Sequence, residues 1–170
     1  MQARRRTTTS RRWVNRGDRG AAILEFALVV PFFIILVMGI IDFSNAYNDY
    51  NSVRQGVREG TRQIVVADWS TDGCTSGTSA AKAACVTKAR VGLTDADTRV
   101  KIVLPTTYAP GEQVKVCVMY PFRSMTGFFN AVLNGAAKSE LTMRIEQIDA
   151  SQPIAGYEET PLPGQNWSWC

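Results

Sequence analysis

The sequence predicts an α+β fold in which a long N-terminal helix, half within a membrane and half amphipathic, packs on a small antiparallel sheet of about three strands. An apolar run of 21 residues, a helical apolar period beyond it and three segments of alternating polarity predict this fold. Four cysteines after the apolar run predict disulfide staples. The 170 residues divide into a basic cytoplasmic leader (1–20), a transmembrane helix (21–41), an extension of that helix (42–67), an external α+β domain (68–150) and an extended C-terminal coil (151–170).

The apolar run is long enough to cross a membrane. It extends from Ala21 to Ile41 with the sequence AAILEFALVVPFFIILVMGII, and Glu25 is its one charged residue. At about 1.5 Å per residue, a helix of this length spans roughly 31 Å, which matches the hydrocarbon core of a bilayer. Pro31 removes a backbone donor and is expected to kink the helix, which is tolerated in a membrane.

The charge distribution predicts the orientation of this helix. Seven of the 19 Lys and Arg residues precede it, whereas residues 20–170 carry a net charge of −2. Since excess positive charge stays in the cytoplasm, the N-terminus is expected inside and residues 42–170 outside. Anionic lipid or nucleic acid binding by the arginine tail is the alternative, but the body of the chain offers no basic surface, and we predict no nucleic-acid partner.

An ordinary secretory signal is the rival interpretation of the apolar run. Ser44-Asn45-Ala46 places small residues where a signal peptidase could cut, before Tyr47. Against it, the run exceeds the usual length of about 7–15 residues and contains both a glutamate and a proline. We therefore favour the membrane-spanning helix.

Glu25 lies five residues after Gly20, inside the apolar run. A carboxylate there costs about 2.5–3.5 kcal/mol at the bilayer centre and less near its edge, so it usually has a function. A cut between Gly20 and Ala21 would make Glu25 the fifth residue of the mature chain, and the new amine of one chain could pair with the carboxylate of the next. The alternative is an interfacial glutamate that is protonated or reaches the headgroups.

These residues resemble a known family. The segment RGAAILEFALVVPFFIILVMGIIDFSNAY is similar to the N-terminus of TadE-like proteins, pseudopilins of the Tad (tight adherence) pilus system. Gly20 follows a basic leader, the Glu25-Phe26 pair follows it, and an acid and an aromatic, Asp42 and Phe43, end the apolar stretch. The later segment Leu141–Gln147 weakly resembles a late strand of the family, and residues 70–135 match no motif.

The resemblance implies a pilin-like fold and cleavage after Gly20 by a membrane prepilin peptidase. It also implies a minor subunit of a pilus that a cytoplasmic ATPase drives, because Glu25-Phe26 departs from the Glu-Tyr of the major Tad pilins and those are much shorter. The processing site would consist of Gly20, Ala21, Glu25 and Phe26. The implied partners are other pilin subunits, the prepilin peptidase, the inner-membrane assembly platform and the lipid bilayer.

The helical pattern continues beyond the membrane, to about Ala67. Its apolar and small positions recur every three or four residues: Tyr50, Val53, Val57, Gly60, Thr61 and Ile64. Small residues allow close approach of another helix, which makes Gly39, Gly56 and Gly60 candidates for helix packing with Glu25. Packing on this chain's own domain and packing on another subunit are both open.

The external part predicts a short helix and three strands. A polar loop (68–79) precedes a helix from Ala80 to Val91, and alternating apolar residues then predict strands at 100–104, 114–120 and 141–145. A turn at 108–112 joins the first two strands. Between the last two, Phe128, Phe129, Val132 and Leu133 are expected in the core or a short helix, or alternatively in an exposed patch for a partner or membrane surface.

The four cysteines are Cys74, Cys85, Cys117 and Cys170, and none is spaced for a metal or redox motif. With the predicted topology they lie in an oxidising compartment, where disulfides are expected. Of the three possible pairings we favour Cys74–Cys85 with Cys117–Cys170. The first would staple a loop to a helix, and the second would hold the C-terminal coil.

No residue pattern predicts an enzyme, a catalytic residue, a metal site or a cofactor. Histidine is absent from the sequence, and neither a phosphate-binding glycine loop nor a nucleophile elbow is present. The acid pairs Asp95/Asp97 and Glu158/Glu159 fall in apparent turns and are expected to be solvated. The leading hypothesis is a pilin-like subunit for pilus assembly or adhesion. The alternative is an uncleaved, membrane-tethered binding module at the cell surface, in which Glu25 would be replaceable.

Overall fold

The computed structural model describes residues 17–68, 73–74, 76–104, 109–148 and 155–170. Two compact units are present, one ending at Met38 and the other formed by Gly39–Cys170. The helices and strands of the described residues are α1 (Gly17–Val65), α2 (Ser79–Val91), β1 (Arg99–Val103), β2 (Gln113–Pro121), β3 (Ala136–Arg144) and β4 (Tyr157–Glu158). The predicted α+β class, with a long N-terminal helix on a small antiparallel sheet, is confirmed.

The sheet has the order β3-β2-β1-β4, and its pairs are antiparallel. The predicted alternation sets which face is buried: Val100 pairs with Val118 and Ile102 pairs with Val116, and all four side chains lie in the core. β4 was not predicted, since residues 151–170 were expected to be coil. Two residues of that segment instead extend the sheet, with Tyr157 opposite Ile102.

The second half of α1 covers the apolar face of the sheet. Val53, Val57 and Ile64 are buried in one core with the inward residues of β1 and β2. The hydroxyl of Thr61, which is also buried, donates to the carbonyl of Val57 (2.6 Å) and so needs no partner from outside the helix. The period of three and four residues therefore predicted the packing face of the helix correctly.

The short helix α2 has well-defined ends. The Thr78 hydroxyl accepts a hydrogen bond from the backbone N–H of Ala81 (3.3 Å) at its start. At its end, Gly92 adopts a left-handed conformation (φ 68°), and its N–H donates to the carbonyl of Lys88 (3.1 Å). These caps explain why the Ala-rich segment forms a helix of 13 residues with the bounds that the sequence predicted to within one residue.

Two disulfides join Cys74 to Cys85 and Cys117 to Cys170, the pairs that we favoured from the sequence. Cys117 lies on the face of β2 opposite the main core, in a second cluster with Met119, Leu162 and Trp167. The C-terminal segment thus covers the outer face of the sheet. The parts of the predicted leader, loop, turn and coil at 1–16, 69–72, 75, 105–108 and 149–154 lie outside the described residues.

Candidate functional site

Among the described residues, one helix is long and apolar enough to cross a membrane by length and composition. Its most apolar window has a mean hydropathy of 2.7. Most of the large apolar side chains from Ile23 to Phe43 are exposed, Leu24, Phe32 and Phe33 among them. Since this chain leaves them uncovered, the apolar surface is suited to lipid or to the helices of other proteins.

The predicted processing residues Gly20, Ala21, Glu25 and Phe26 all lie exposed on α1. A Cβ added at Gly20 would meet no atom within 4 Å, and Gly20 is not among the glycines with positive φ. A glycine inside a helix costs about 1 kcal/mol relative to alanine, so the fold itself gives no reason for one here. Among the side chains that the structure describes, none hydrogen bonds with Glu25.

Gly56 and Gly60 lie where α1 contacts α2. A Cβ on Gly56 would come within 2.4 Å of the Cα of Val91, and a Cβ on Gly60 within 2.8 Å of the Thr87 hydroxyl oxygen. Both glycines are thus required by packing within this chain's own domain, which is one of the two possibilities that the sequence left open. Gly39 differs, because a Cβ there would lie at an ordinary 3.4 Å from the ring of Phe129.

Asp42, the acid that ends the apolar stretch, is fully buried and holds the loop between β2 and β3. Its carboxylate accepts hydrogen bonds from the Ser124 hydroxyl, the Met125 N–H (2.9 Å), the Thr126 N–H (3.0 Å) and the Thr126 hydroxyl (2.7 Å). Desolvation by burial acts to raise the pKa of Asp42, but the hydrogen bonds from Ser124, Thr126 and Met125 outweigh it and lower the pKa. Sequence reasoning missed this role.

The segment between β2 and β3 was predicted to lie in the core or a short helix, and that prediction is wrong for its outer residues. It forms turns, and Met125, Phe128 and Val132 are 73%, 57% and 65% exposed. Inward-pointing residues attach it to α1: Leu133 is buried, and the ring of Phe129 lies 5.8 Å from that of Phe43. The exposed-patch alternative therefore describes the outer side of this loop.

Next to this loop, α1 borders an apolar groove of about 490 Å³. The residues that line it are Phe43, Ala46, Tyr47, Tyr50, Phe122 and Leu133. Phe43 and Tyr47 are exposed. A groove of this kind accepts apolar side chains and offers few polar groups to orient a small ligand.

Glu159 is not solvated as the sequence predicted. Its side chain is 18% exposed and accepts from the Lys88 ammonium (2.8 Å), the Val100 N–H (3.0 Å) and the Tyr157 hydroxyl (3.1 Å). It therefore joins α2, β1 and the C-terminal segment. Desolvation and the Glu159 carboxylate raise the pKa of Tyr157. Glu158, by contrast, pairs with Lys101 at 2.8 Å and is 54% exposed.

Within the described residues, no group of three or more His, Cys, Asp or Glu residues is placed to hold a metal ion. Of the acid pair Asp95/Asp97, Asp97 pairs with Arg123 at 2.8 Å. Asp95 is exposed, and in the described part of the chain only its backbone carbonyl accepts a hydrogen bond, from the Lys88 ammonium (3.4 Å). The carboxylates of Asp42, Asp97 and Glu159 thus hold parts of the fold together.

A comparison with protein families places the helix among known proteins. Residues 20–62 match the model of the family described as TadE-like protein. The match begins at Gly20, contains Glu25, Asp42 and both packing glycines of α1, and ends before α2 and the sheet. Comparisons with curated proteins and with solved structures give no match. Over residues 20–62 the chain is similar to TadE-like proteins, and the resemblance drawn from its N-terminal residues is confirmed.

Proposed function

We propose that this protein is a minor pilin or pseudopilin of a Tad-type pilus, cleaved after Gly20 by a prepilin peptidase and contributing to pilus assembly or adhesion. One observation carries the proposal: the TadE-like match starts at Gly20, on an exposed part of α1 where the fold gives no reason for a glycine. Recognition by a peptidase explains a glycine that has no packing role in the fold. The small residue lets the backbone enter a protease site closely.

Glu25 has the role of setting register between neighbouring subunits. Cleavage creates an amine at Ala21, near the carboxylate of Glu25 along the chain. Both charges lie in or next to the hydrocarbon, where an unpaired charge is costly and a charge pair between two chains is much stronger than in water. The exposure of Glu25 supports this role, because its side chain is free to meet an amine from another chain.

The apolar surface of α1 serves two environments in turn. Lipid covers it while the subunit is stored in the cytoplasmic membrane, and the helices of other pilin subunits cover it after the assembly platform extracts it. The exposed side chains from Ile23 to Phe43 support this exchange. The groove between Phe43 and Leu133 offers further apolar contact for a neighbouring subunit.

In this proposal the N-terminus is cytoplasmic and residues 42–170 are outside. Residues 1–20 are the leader, 21–41 the membrane helix and 42–67 its extension, and the external domain (68–150) carries the C-terminal segment (151–170) on its sheet. The two disulfides support an external location for the domain, since disulfides persist in oxidising compartments.

The test is the intact mass and N-terminal sequence of the protein from its native membrane. A chain that begins at Ala21 supports processing, whereas one that begins at Met1 contradicts it and favours the tethered binding module. A start at Tyr47 would mean that the apolar segment was an export signal. Gly20→Val is expected to leave full-length protein, and Gly39→Ala, a change at another glycine of the same helix, is the matched control.

Glu25→Gln tests the register role separately from cleavage. The variant keeps the size of the side chain and removes its charge, so we expect a processed N-terminus but much less protein in sheared pili than in the membrane. Glu59→Gln changes another acid on α1, one that pairs with Arg62 in solvent, and is expected to behave like wild type. Equal amounts of Glu25→Gln and wild-type protein in sheared pili would contradict the register role.

A further inference from the structure

We infer that the loop between β2 and β3 rests in the outer headgroup region of the bilayer, with Met125, Phe128 and Val132 inserted as an apolar foot beside the point where α1 leaves the membrane. The inference rests on the membrane-spanning part of the proposed function. It adds a second lipid contact, made by the folded domain and not by the helix.

The level of this loop is fixed by its contacts with α1. Asp42 is the first residue after the apolar run, and its carboxylate binds Ser124, Met125 and Thr126. One turn earlier on the helix, the ring of Phe129 lies next to Gly39, where an added Cβ would be 3.4 Å from it. Where residues 21–41 span a bilayer, residue 42 lies at its outer boundary, and the loop that Asp42 binds is attached at that same point of the helix.

The chemistry of the loop suits that boundary. Its three outward side chains are large and apolar, and no Asp, Glu, Lys or Arg occurs from Ser124 to Gly135. The exposed rings of Phe43 and Tyr47 lie next on the helix, and aromatic side chains are enriched at the membrane–water interface. Arg123, at the start of the loop, already pairs with Asp97 (2.8 Å) and so leaves the loop tip without charge.

The position of Asp42 places a carboxylate at the edge of the hydrocarbon, which would be unfavourable if its oxygens had no hydrogen-bond donors. An unsatisfied carboxylate there would draw in water and keep the loop away from lipid. The four hydrogen bonds from the loop replace that water, and the side chain is fully buried. The same contacts thus fix the height of the loop and make the junction compatible with a bilayer.

A spin-label experiment on the full chain in phosphatidylcholine vesicles tests the inference. Single labels are placed at Met125→Cys, Val132→Cys and Val103→Cys, with one label per chain verified by intact mass. Val103 is the matched control: it is an exposed apolar residue whose partner Lys115 lies about 20 Å along β2 from Pro121, where the loop begins. Collision with oxygen, compared with collision with a water-soluble nickel chelate, gives the depth of each label.

We expect the labels at positions 125 and 132 to report from about 5–10 Å inside the headgroup boundary, and the label at position 103 to report from water. Labels at 125 and 132 that are as accessible to nickel as the label at 103 would overturn the inference. Protection from nickel that disappears when the protein-to-lipid ratio is lowered would also overturn the inference. In that case a second copy of the chain, and not lipid, would cover the labels.

A fourth label, at Val30→Cys within the apolar run, separates this inference from the anchor on which it rests. If position 30 lies in lipid while positions 125 and 132 lie in water, the foot is refuted and the membrane helix stands. If position 30 also lies in water, both are refuted.

Discussion

The carboxylate of Asp42 accepts two hydrogen bonds from Thr126, one from its backbone N–H at 3.0 Å and one from its hydroxyl at 2.7 Å, across 84 residues of sequence. This contact joins α1 to the connection between β2 and β3. It lies at the end of the apolar run, at the level where we infer that the loop meets the outer boundary of the membrane. Four predictions follow from the contacts of α1 and the domain.

The first prediction concerns acid stability. The folded-state pKa of Asp42 lies below the usual 3.8, so its stabilising contribution is complete above pH 3.8 and is lost as the pH falls through the lower folded-state value. Asp42→Asn is therefore expected to lower the Tm of the full chain in detergent at about pH 6. When the pH is lowered to about 3, the variant should lose less stability than wild type does.

Asp49→Asn is the matched control for this experiment. Desolvation raises the pKa of Asp49, so its charge opposes folding near neutral pH and this penalty is relieved in acid. The control variant should therefore lose more stability than wild type between the two pH values. Equal acid sensitivity in Asp42→Asn and wild type would contradict the role assigned to Asp42.

The second prediction compares two glycines of α1. Gly56→Ala places a Cβ 2.4 Å from the backbone of Val91, so we expect a loss of about 1–3 kcal/mol or more in the free energy of unfolding. Gly39→Ala makes an ordinary 3.4 Å contact with Phe129 and should stay within about 1 kcal/mol of wild type. Denaturant titration in micelles measures both, and an unchanged Gly56→Ala would contradict the close contact with α2.

The third prediction orders the two disulfides by the loops that they close. The separation is 53 residues for Cys117–Cys170 and 11 for Cys74–Cys85. Loop-closure entropy then predicts losses of about 4 and about 3 kcal/mol when each pair is replaced by alanine. The first replacement also opens a buried cluster with Met119 and Trp167, which adds to the difference. Midpoints of denaturant unfolding that rank the two variants in the reverse order would refute this account.

The fourth prediction separates the neighbours Glu158 and Glu159. Glu159→Gln leaves the Lys88 ammonium, 15% exposed, without its carboxylate, and should cost about 1.5–3 kcal/mol. Glu158→Gln breaks a more exposed pair with Lys101 and should cost about 0–1 kcal/mol. Thermal unfolding of the two variants at one pH makes the comparison, and equal losses would contradict the larger contribution assigned to Glu159.

The sequence predicted the parts of this fold that depend on local periodicity. The spacing of Val53 and Val57 identified the buried side of α1, and the alternation from Val114 to Val118 identified the inward face of β2. The predicted disulfide pairs depended on the loop and the C-terminal coil that they would hold. For the buried sides of α1 and β2, the pattern that specifies the structure lies within a few turns or one strand of the residue itself.

Contacts between distant segments could not be predicted in this way. Nothing near Asp42 points to Ser124 or Thr126, and the polar residues of the loop resemble those of any turn. Glu159 was placed in solvent because it falls in an apparent turn, yet the pairing of Tyr157 with Ile102 brings it to Lys88. Two residues of β4 determine that outcome, too few to show alternation.

The attachments of α1 also determine how its unit responds to mechanical force. Along α1, the Asp42 carboxylate hydrogen bonds to the loop first. Val53 and Val57 pack on the sheet farther along, and Gly60 lies close to α2 beyond them. A force applied along the helix at residue 39 loads the hydrogen bonds of Asp42 before it loads the apolar contacts of Val53 and Val57. Rupture would therefore start at a few short hydrogen bonds, which break over small displacements, while the apolar contacts farther along keep the domain on its helix.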